Sequence, residues 1–266
     1  MNCGFIGIGN MGSALARAVC KTVPGSEIFL SNRTASKSEN LARELQVKAS
    51  TNREIAETCD YIFLGVKPQM MADMLSDIKD TLAARQKRFI LISMAAALTT
   101  EDIEKMAGGK YPVIRIMPNT PVSIGEGVVL YTTNDKVTEE DLDTFLKMLK
   151  YAGLLVAAPE DKFDAYSALS GCGPAFVDLF MEALADGAVS IGVPRDKALQ
   201  LAAKMVSGSA DLMLKSGKHP GELKDAVCSP GGTTIAGVRT LEEFGLRGAV
   251  MDAVIASYEK TLELKK

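Results

Sequence analysis

Cys3-Gly4-Phe5-Ile6-Gly7-Ile8-Gly9-Asn10-Met11-Gly12 decides how the rest of this chain is read. The opening residues read as a buried strand, and Met11 to Lys21 reads as the amphipathic helix that follows. A lone GxGxxG is a weak signal, common to many glycine-rich turns. Between a strand and a helix it marks the phosphate-binding turn of a Rossmann fold. Gly7 permits the tight turn, Gly9 lets backbone approach a pyrophosphate, and Gly12 lets the helix pack close to the strand. The helix start, with Asn10 and Met11, adds free N–H groups and a partial positive charge.

From this turn to residue 158 strand-like and helix-like segments alternate, which argues for parallel βα units in an α/β, doubly wound sheet. Short apolar runs fall at 3–8, 27–31, 61–66, 89–93, 113–117, 128–131 and 154–157. Amphipathic stretches such as 11–21, 36–45 and 70–82 lie between them, and Thr138 with Asp141 predicts a capping box opening a helix towards Lys150. After Ala158-Pro159 the alternation stops. The remainder predicts helices at 163–169, 174–191, 194–215, 220–227, 233–244 and 246–264. The domains expected are therefore 1–158, Rossmann-type and dinucleotide-binding, and 159–266, all-α. The 174–191 helix is apolar on nearly every face except for Asp178, Glu182, Asp186 and Ser190, and a partner subunit would bury it readily. Its carboxylates read as a solvated or salt-bridged stripe, not as metal ligands.

Composition narrows the function. The chain has 266 residues, 47% of them hydrophobic and 24% charged, with net charge −3. That balance carries no footprint for nucleic acid or an anionic membrane. Five cysteines form no CxxC pair and only one histidine is present, so no zinc site is spelled out and free thiols in a reducing cytosol are expected. No basic leader precedes the first strand, and no run approaches about 20 uninterrupted apolar residues. These features predict a cytoplasmic protein.

Cofactor choice is read after the second strand. Ser31-Asn32-Arg33-Thr34 and Lys37 place no acid where an NAD site commonly carries one. Arg33 and the flanking hydroxyls suit a 2′-phosphate, which favours NADPH over NADH; the plainer alternative is a solvated arginine. Val66-Lys67-Pro68 ends a strand on the side where ligands collect, and Lys67 either attracts phosphate or is structural.

A second glycine-rich loop, Ser229-Pro230-Gly231-Gly232-Thr233-Thr234, reads as a seat for a small anion at a helix start, or as a plain link between helices. His219, before Pro220-Gly221, sits where a histidine is usually structural or exposed. With no supporting segment for a Ser-His-Asp triad, nucleophilic hydrolysis fits poorly. Hydride transfer to an already protonated imine needs orientation, an anion clamp and a hydrogen-bond partner for nitrogen, which threonine can supply.

Essentially the whole chain resembles the pyrroline-5-carboxylate reductase family. The likeness rests on residues 5–12, on Val66-Lys67-Pro68, on Arg115-Ile116-Met117-Pro118-Asn119-Thr120-Pro121 and on Ser170-Gly171-Cys172-Gly173-Pro174-Ala175. Its most specific part is His219-Pro220-Gly221-Glu222-Leu223-Lys224-Asp225, running into Val227-Cys228-Ser229 and on to Thr234. The resemblance implies reduction of L-1-pyrroline-5-carboxylate to L-proline by hydride from NADPH. It also implies a helical domain intertwined with a second subunit, in dimers that often assemble into decamers. Asn32, Arg33, Thr34 and Asn52 would then surround the adenosine phosphate, with Val66, Lys67, Pro68 and Ala96 along the cofactor. Ser229 and the backbone of Gly232, Thr233 and Thr234 would hold the substrate carboxylate, and the Thr234 side chain would meet the imine nitrogen as the catalytic group. Ala97 and Ala226 depart from the glycine and polar residue often found there. Cys172 and Cys228 replace small hydroxyl residues, as space-fillers or oxidation-sensitive thiols. The rival readings are a reductase of another small imine or 2-hydroxy acid, and a non-catalytic NADPH-binding sensor.

Overall fold

The computed structural model describes residues 1–264; Lys265 and Lys266, the end of the expected helical domain, lie outside the described residues. The chain begins β1 (Cys3–Ile6), α1 (Asn10–Val19), β2 (Ile28–Ser31), α2 (Ala35–Leu45), β3 (Lys48–Ala49), α3 (Asn52–Thr58) and β4 (Tyr61–Leu64). It continues α4 (Met71–Ala83), β5 (Ile90–Ser93), α5 (Thr100–Ala107), β6 (Val113–Pro118), β7 (Gly127–Thr133), α6 (Glu139–Met148) and β8 (Gly153–Ala157). Helices α7 (Phe163–Ser190), α8 (Arg195–Ser216), α9 (Pro220–Ala226), α10 (Thr233–Glu243) and α11 (Leu246–Glu263) complete it.

The strands form one sheet in the order β3-β2-β1-β4-β5-β6-β7-β8. Neighbouring residues of one strand enter opposite cores: Phe5 and Phe63 lie in one, Ile6, Ile62 and Leu64 in the other. A sheet buried on both faces explains why its strands read as unbroken apolar runs. Phe5 and Phe63 stack across adjacent strands with ring centroids 4.3 Å apart. The predicted capping box is present: Thr138 Oγ1 accepts from Asp141 N–H at 3.2 Å, and Asp141 Oδ2 accepts from Thr138 N–H at 2.9 Å.

Three sequence expectations need correction. First, the sheet is not parallel throughout: β7 runs antiparallel to β6, and β8 runs parallel to β7. Residues 119–126 join β6 to β7 and are too few for a crossover helix, so the chain must turn back. Second, β3 went unread because its two residues are both exposed and offer no apolar run. Third, the separate helices expected at 163–169 and 174–191 are one 28-residue helix, α7, with Pro174 inside it.

Pro174 has no N–H for the carbonyl of Ser170, and its ring crowds that carbonyl. Asn119, which follows β6 and is 8% exposed, makes good the loss: its Nδ2 donates to Ser170 O at 3.0 Å. The same side chain accepts from Val128 N–H through Oδ1 at 2.8 Å, so both ends of its amide are used. The start of α7 is held by Arg115 of β6, which is wholly buried. Its Nη1 lies 2.8 Å from Glu160 Oε1 and its Nη2 2.6 Å from Asp164 Oδ1, while the guanidinium stacks 4.2 Å from the Phe163 ring centroid.

Packing divides the described residues into two compact units, one comprising 1–172 with 257–264, the other 173–256. In the second unit large apolar side chains stand in the open, among them Leu179 and Leu201, at 67% and 63% exposed. Glu160–Ser190 is long and apolar enough to cross a membrane by length and composition alone.

If Asn119 replaces the bond that Pro174 removes, Asn119→Ala should cost about 2–4 kcal/mol by urea unfolding, because it strands a carbonyl and an N–H. Pro174→Ala in that background should recover part of the loss, since a restored N–H satisfies Ser170 O. Strictly additive effects would show that the two residues are not coupled.

Candidate active site

The carboxyl ends of β1, β2, β4 and β5 gather the first set of candidate residues. Gly7 leaves β1 with φ +91°, in the left-handed region that favours glycine, and its N–H donates to Ser31 O at 2.8 Å. A Cβ on Gly12 would lie 2.3 Å from Gly7 O, and one on Gly65 would lie 2.2 Å from the same oxygen. Gly9 is different, because a Cβ there meets nothing within 4 Å. The absence of a side chain at Gly12 is thus required by packing, and at Gly9 it leaves open space. Gly9 is the N-cap of α1 and makes no side-chain capping bond. The first bond of α1 runs from Ser13 N–H to Gly9 O, so the N–H groups of Asn10, Met11 and Gly12 have no helical acceptor. Open space in front of free N–H groups at a helix start fits a pyrophosphate.

The residues after β2 form the second part of this site. Asn32 Oδ1 accepts from Ile8 N–H at 3.3 Å and its Nδ2 donates to Thr34 O at 3.2 Å, which ties the glycine turn to the 32–34 loop. Ser31 Oγ donates to Asn52 Oδ1 at 2.6 Å and brings the start of α3 to the same place. Arg33 is exposed and, among the described residues, forms no ion pair. Thr34, the N-cap of α2, makes no side-chain capping bond, so its hydroxyl is available. A free guanidinium and a free hydroxyl beside a helix start can take a phosphate monoester. Val66 and Pro68 are partly exposed at the end of β4 and Lys67 is exposed. After β5, Ala96 is exposed and Ala97 holds φ +65°. For a residue with a Cβ that conformation costs about 1–2 kcal/mol.

Ser229–Thr234 belongs to the other unit and is described by itself. Gly232 N–H donates to Ser229 O at 3.0 Å, closing a turn in which Gly231 has φ +67°. A Cβ on Gly232 would fall 2.3 Å from Ser229 Oγ, so only glycine leaves that hydroxyl its place. Gly232 is the N-cap of α10, again without a side-chain cap, and the first helical bond runs from Ala236 N–H to Gly232 O at 3.4 Å. The N–H groups of Thr233, Thr234 and Ile235 therefore lack helical partners, beside the hydroxyls of Ser229, Thr233 and Thr234. That concentration of donors suits a carboxylate.

Two features of these sites were not read from the sequence: the packing role of Gly65, and the bond to Asn52 that takes up the buried Ser31 hydroxyl, one of the two expected to serve a 2′-phosphate. Gly65 had a legible signal, a glycine inside an apolar run, which marks close approach of backbone. The Ser31–Asn52 bond had none, since a single polar residue does not announce its partner.

The contrast between two glycines is testable. Gly12→Ala should destabilise the fold by several kcal/mol, about 1–3 being usual for overpacking between atoms that can shift, and these are backbone. Gly9→Ala should leave stability within about 1 kcal/mol yet weaken nicotinamide dinucleotide binding at least about 10-fold, as followed by fluorescence titration.

Comparison with known proteins agrees with both halves. Residues 2–97 match the family model "NADP oxidoreductase coenzyme F420-dependent", and residues 160–264 match "Pyrroline-5-carboxylate reductase dimerisation". A pyrroline-5-carboxylate reductase of Escherichia coli K12 is 39% identical over 267 residues, covering 99% of this chain and 98% of that protein. Its counterpart in Pisum sativum is 38% identical over 263 residues, covering 98% and 95%. Among solved structures, the pyrroline carboxylate reductase of Plasmodium falciparum with NADP bound is 32% identical with a TM-score of 0.89, covering 100% of this chain and 98% of that one. With identity of this level along nearly the whole length of both chains, the protein belongs to the pyrroline-5-carboxylate reductase family.

Proposed function

We propose that this protein reduces L-1-pyrroline-5-carboxylate to L-proline with NADPH, with residues 1–158 serving the cofactor and residues 159–266 the substrate and the dimer. The observation that carries the mechanism is that two helix starts, α1 and α10, are left uncapped by any side chain, each behind a glycine. One faces the needs of a pyrophosphate and the other those of a carboxylate.

NADPH supplies the hydride that the imine carbon receives. The chain's own part begins with the turn at Gly7 and Gly9, which brings the open backbone N–H groups of Asn10, Met11 and Gly12 to the pyrophosphate. Asn32, Arg33, Thr34 and Asn52 take the adenosine phosphate, with NADH accepted more weakly for want of that phosphate. Val66, Lys67, Pro68 and Ala96 line the path of the cofactor. Ser229, with the backbone of Gly232, Thr233 and Thr234, clamps the substrate carboxylate and so decides which ring face is presented. Thr234 Oγ1 meets the imine nitrogen. A free hydroxyl is a very weak acid, so Thr234 orients a nitrogen that is already protonated, or relays a proton from water, and is not itself a strong donor.

The exposed apolar side chains of the helical unit support a dimer built through the region that matches the dimerisation family. The same subunit contact would bury the membrane-length helix. We extend the proposal to further assembly of the dimers into a decamer. Burial pushes the Cys59 thiol up to about 11, which leaves it protonated and unreactive at neutral pH.

Arg33→Ala should raise KM for NADPH about 10-fold or more while changing KM for NADH little, because a charge-assisted phosphate bond is lost in one case only. Equal effects on both cofactors would remove Arg33 from the phosphate site. Thr234→Ala should lower kcat at least about 10-fold with NADPH affinity retained; unchanged turnover would remove Thr234 from the mechanism.

A further inference from the structure

The chain's only histidine is the one residue of the loop region that closes a helix start with a titratable ring. His219 is the N-cap of α9, and its Nδ1 accepts from Gly221 N–H at 3.1 Å. Glu222 Oε2 accepts in return from His219 N–H at 3.3 Å. The remaining early donors are accounted for as well. Pro220 has no N–H, and the N–H groups of Glu222 and Leu223 reach His219 O at 3.0 and 3.3 Å. A Cβ on Gly221 would lie 3.0 Å from Nδ1, so glycine at 221 gives the ring its place. The start of α9 is thus fully satisfied by its own residues, whereas the start of α10 is open.

Two consequences follow. Nδ1 can accept only from its lone pair, so this capping bond requires the neutral ring with its proton on Nε2. An imidazolium has N–H groups at both nitrogens and would set a donor against the Gly221 N–H. In addition, α9 has only seven residues, too short to be stable without support at its ends, and it leads straight into the clamp. Val227 N–H bonds to Lys224 O at 3.2 Å and Cys228 N–H to Asp225 O at 3.1 Å, and Ser229 comes next.

We infer that neutral His219 is a positioning residue that holds the stem of the carboxylate clamp, so that protonating it loosens the clamp and weakens substrate binding in acid. The inference rests on Ser229–Thr234 being that clamp. Charged groups on the flanking elements do not supply an alternative switch in this range. Lys215 of α8 pairs with Asp211 at 3.1 Å, and Lys224 pairs with Asp225 on α9 at 2.7 Å. Glu222 is the partner within the box, and Lys218 precedes the ring. Carboxylates and ammonium groups ordinarily titrate outside the interval of about pH 5 to 8 in which an imidazole changes charge.

The test compares the wild-type enzyme with His219→Asn, His219→Ala and Ser229→Ala across pH 5–8, reading KM for pyrroline-5-carboxylate, KM for NADPH and kcat. Asparagine caps without titrating, so His219→Asn should keep the neutral-pH KM and lose the extra rise of the wild type towards pH 5. The substrate's own ionisation is common to both and cancels. His219→Ala should raise KM for the imine acid about 5-fold at every pH, the population change expected for a lost cap, and leave KM for NADPH unchanged. Because the histidine is single, its ring proton gives one resonance, whose titration midpoint should coincide with the wild-type rise. Superimposable profiles for wild type and His219→Asn would overturn the inference while leaving the clamp intact if Ser229→Ala still raises KM. An unchanged KM in Ser229→Ala would instead overturn the clamp.

Discussion

The carbonyl oxygen of Gly7 is the point on which the cofactor half is built. A side chain on Gly12 would fall 2.3 Å from it and one on Gly65 2.2 Å from it, so α1 and the end of β4 both pack directly on this one backbone group. That crowding sets how closely α1 approaches the sheet and where its first turn points. The open N–H groups of Asn10, Met11 and Gly12, the tether from Asn32 to Ile8 and the bond from Gly7 N–H to Ser31 all take their positions from it. Three glycines share a single contact, and only the exposed Gly9 has open space where a side chain would stand.

The same division of labour appears in the helical unit. Gly232 makes room for the Ser229 hydroxyl, Gly231 supplies the left-handed turn, and Gly221 admits the His219 ring. Gly232 and Gly221 answer a near approach and Gly231 a turn, and together they leave one helix start closed and the next one open. Electrostatics enters only through this local geometry, since a chain of net charge −3 offers no general attraction for an anion.

How much of this the sequence disclosed depends on the range of the interaction. Strands buried on both faces and the Thr138–Asp141 cap were legible because they are written in neighbouring residues. The turn at β1 was legible for the same reason. The reversal of β7 was not, because a short connection without an apolar period says nothing about strand direction until the strands pair. The unbroken course of α7 was hidden more deeply. Pro174 reads locally as a stop, and only the amide of Asn119, far away in sequence, allows the helix to pass. Within the sites, glycines and helix starts could be read from spacing, whereas Ser31 beside Asn52 required the fold.

Arg115 bears on where the cofactor half actually ends. Its guanidinium is wholly enclosed, and its two carboxylate partners, Glu160 and Asp164, come after the last strand of the sheet. A chain still emerging from the ribosome as far as residue 158 lacks both of those counter-charges and the Phe163 ring on which the guanidinium stacks, so Arg115 cannot yet take the enclosed, paired place it has in the whole protein. The nucleotide-binding half therefore cannot finish folding on its own last strand. It must wait for the first turn of the helix that leads out of it, which makes the join between the halves a step in the folding of the first and not merely a linker to the second.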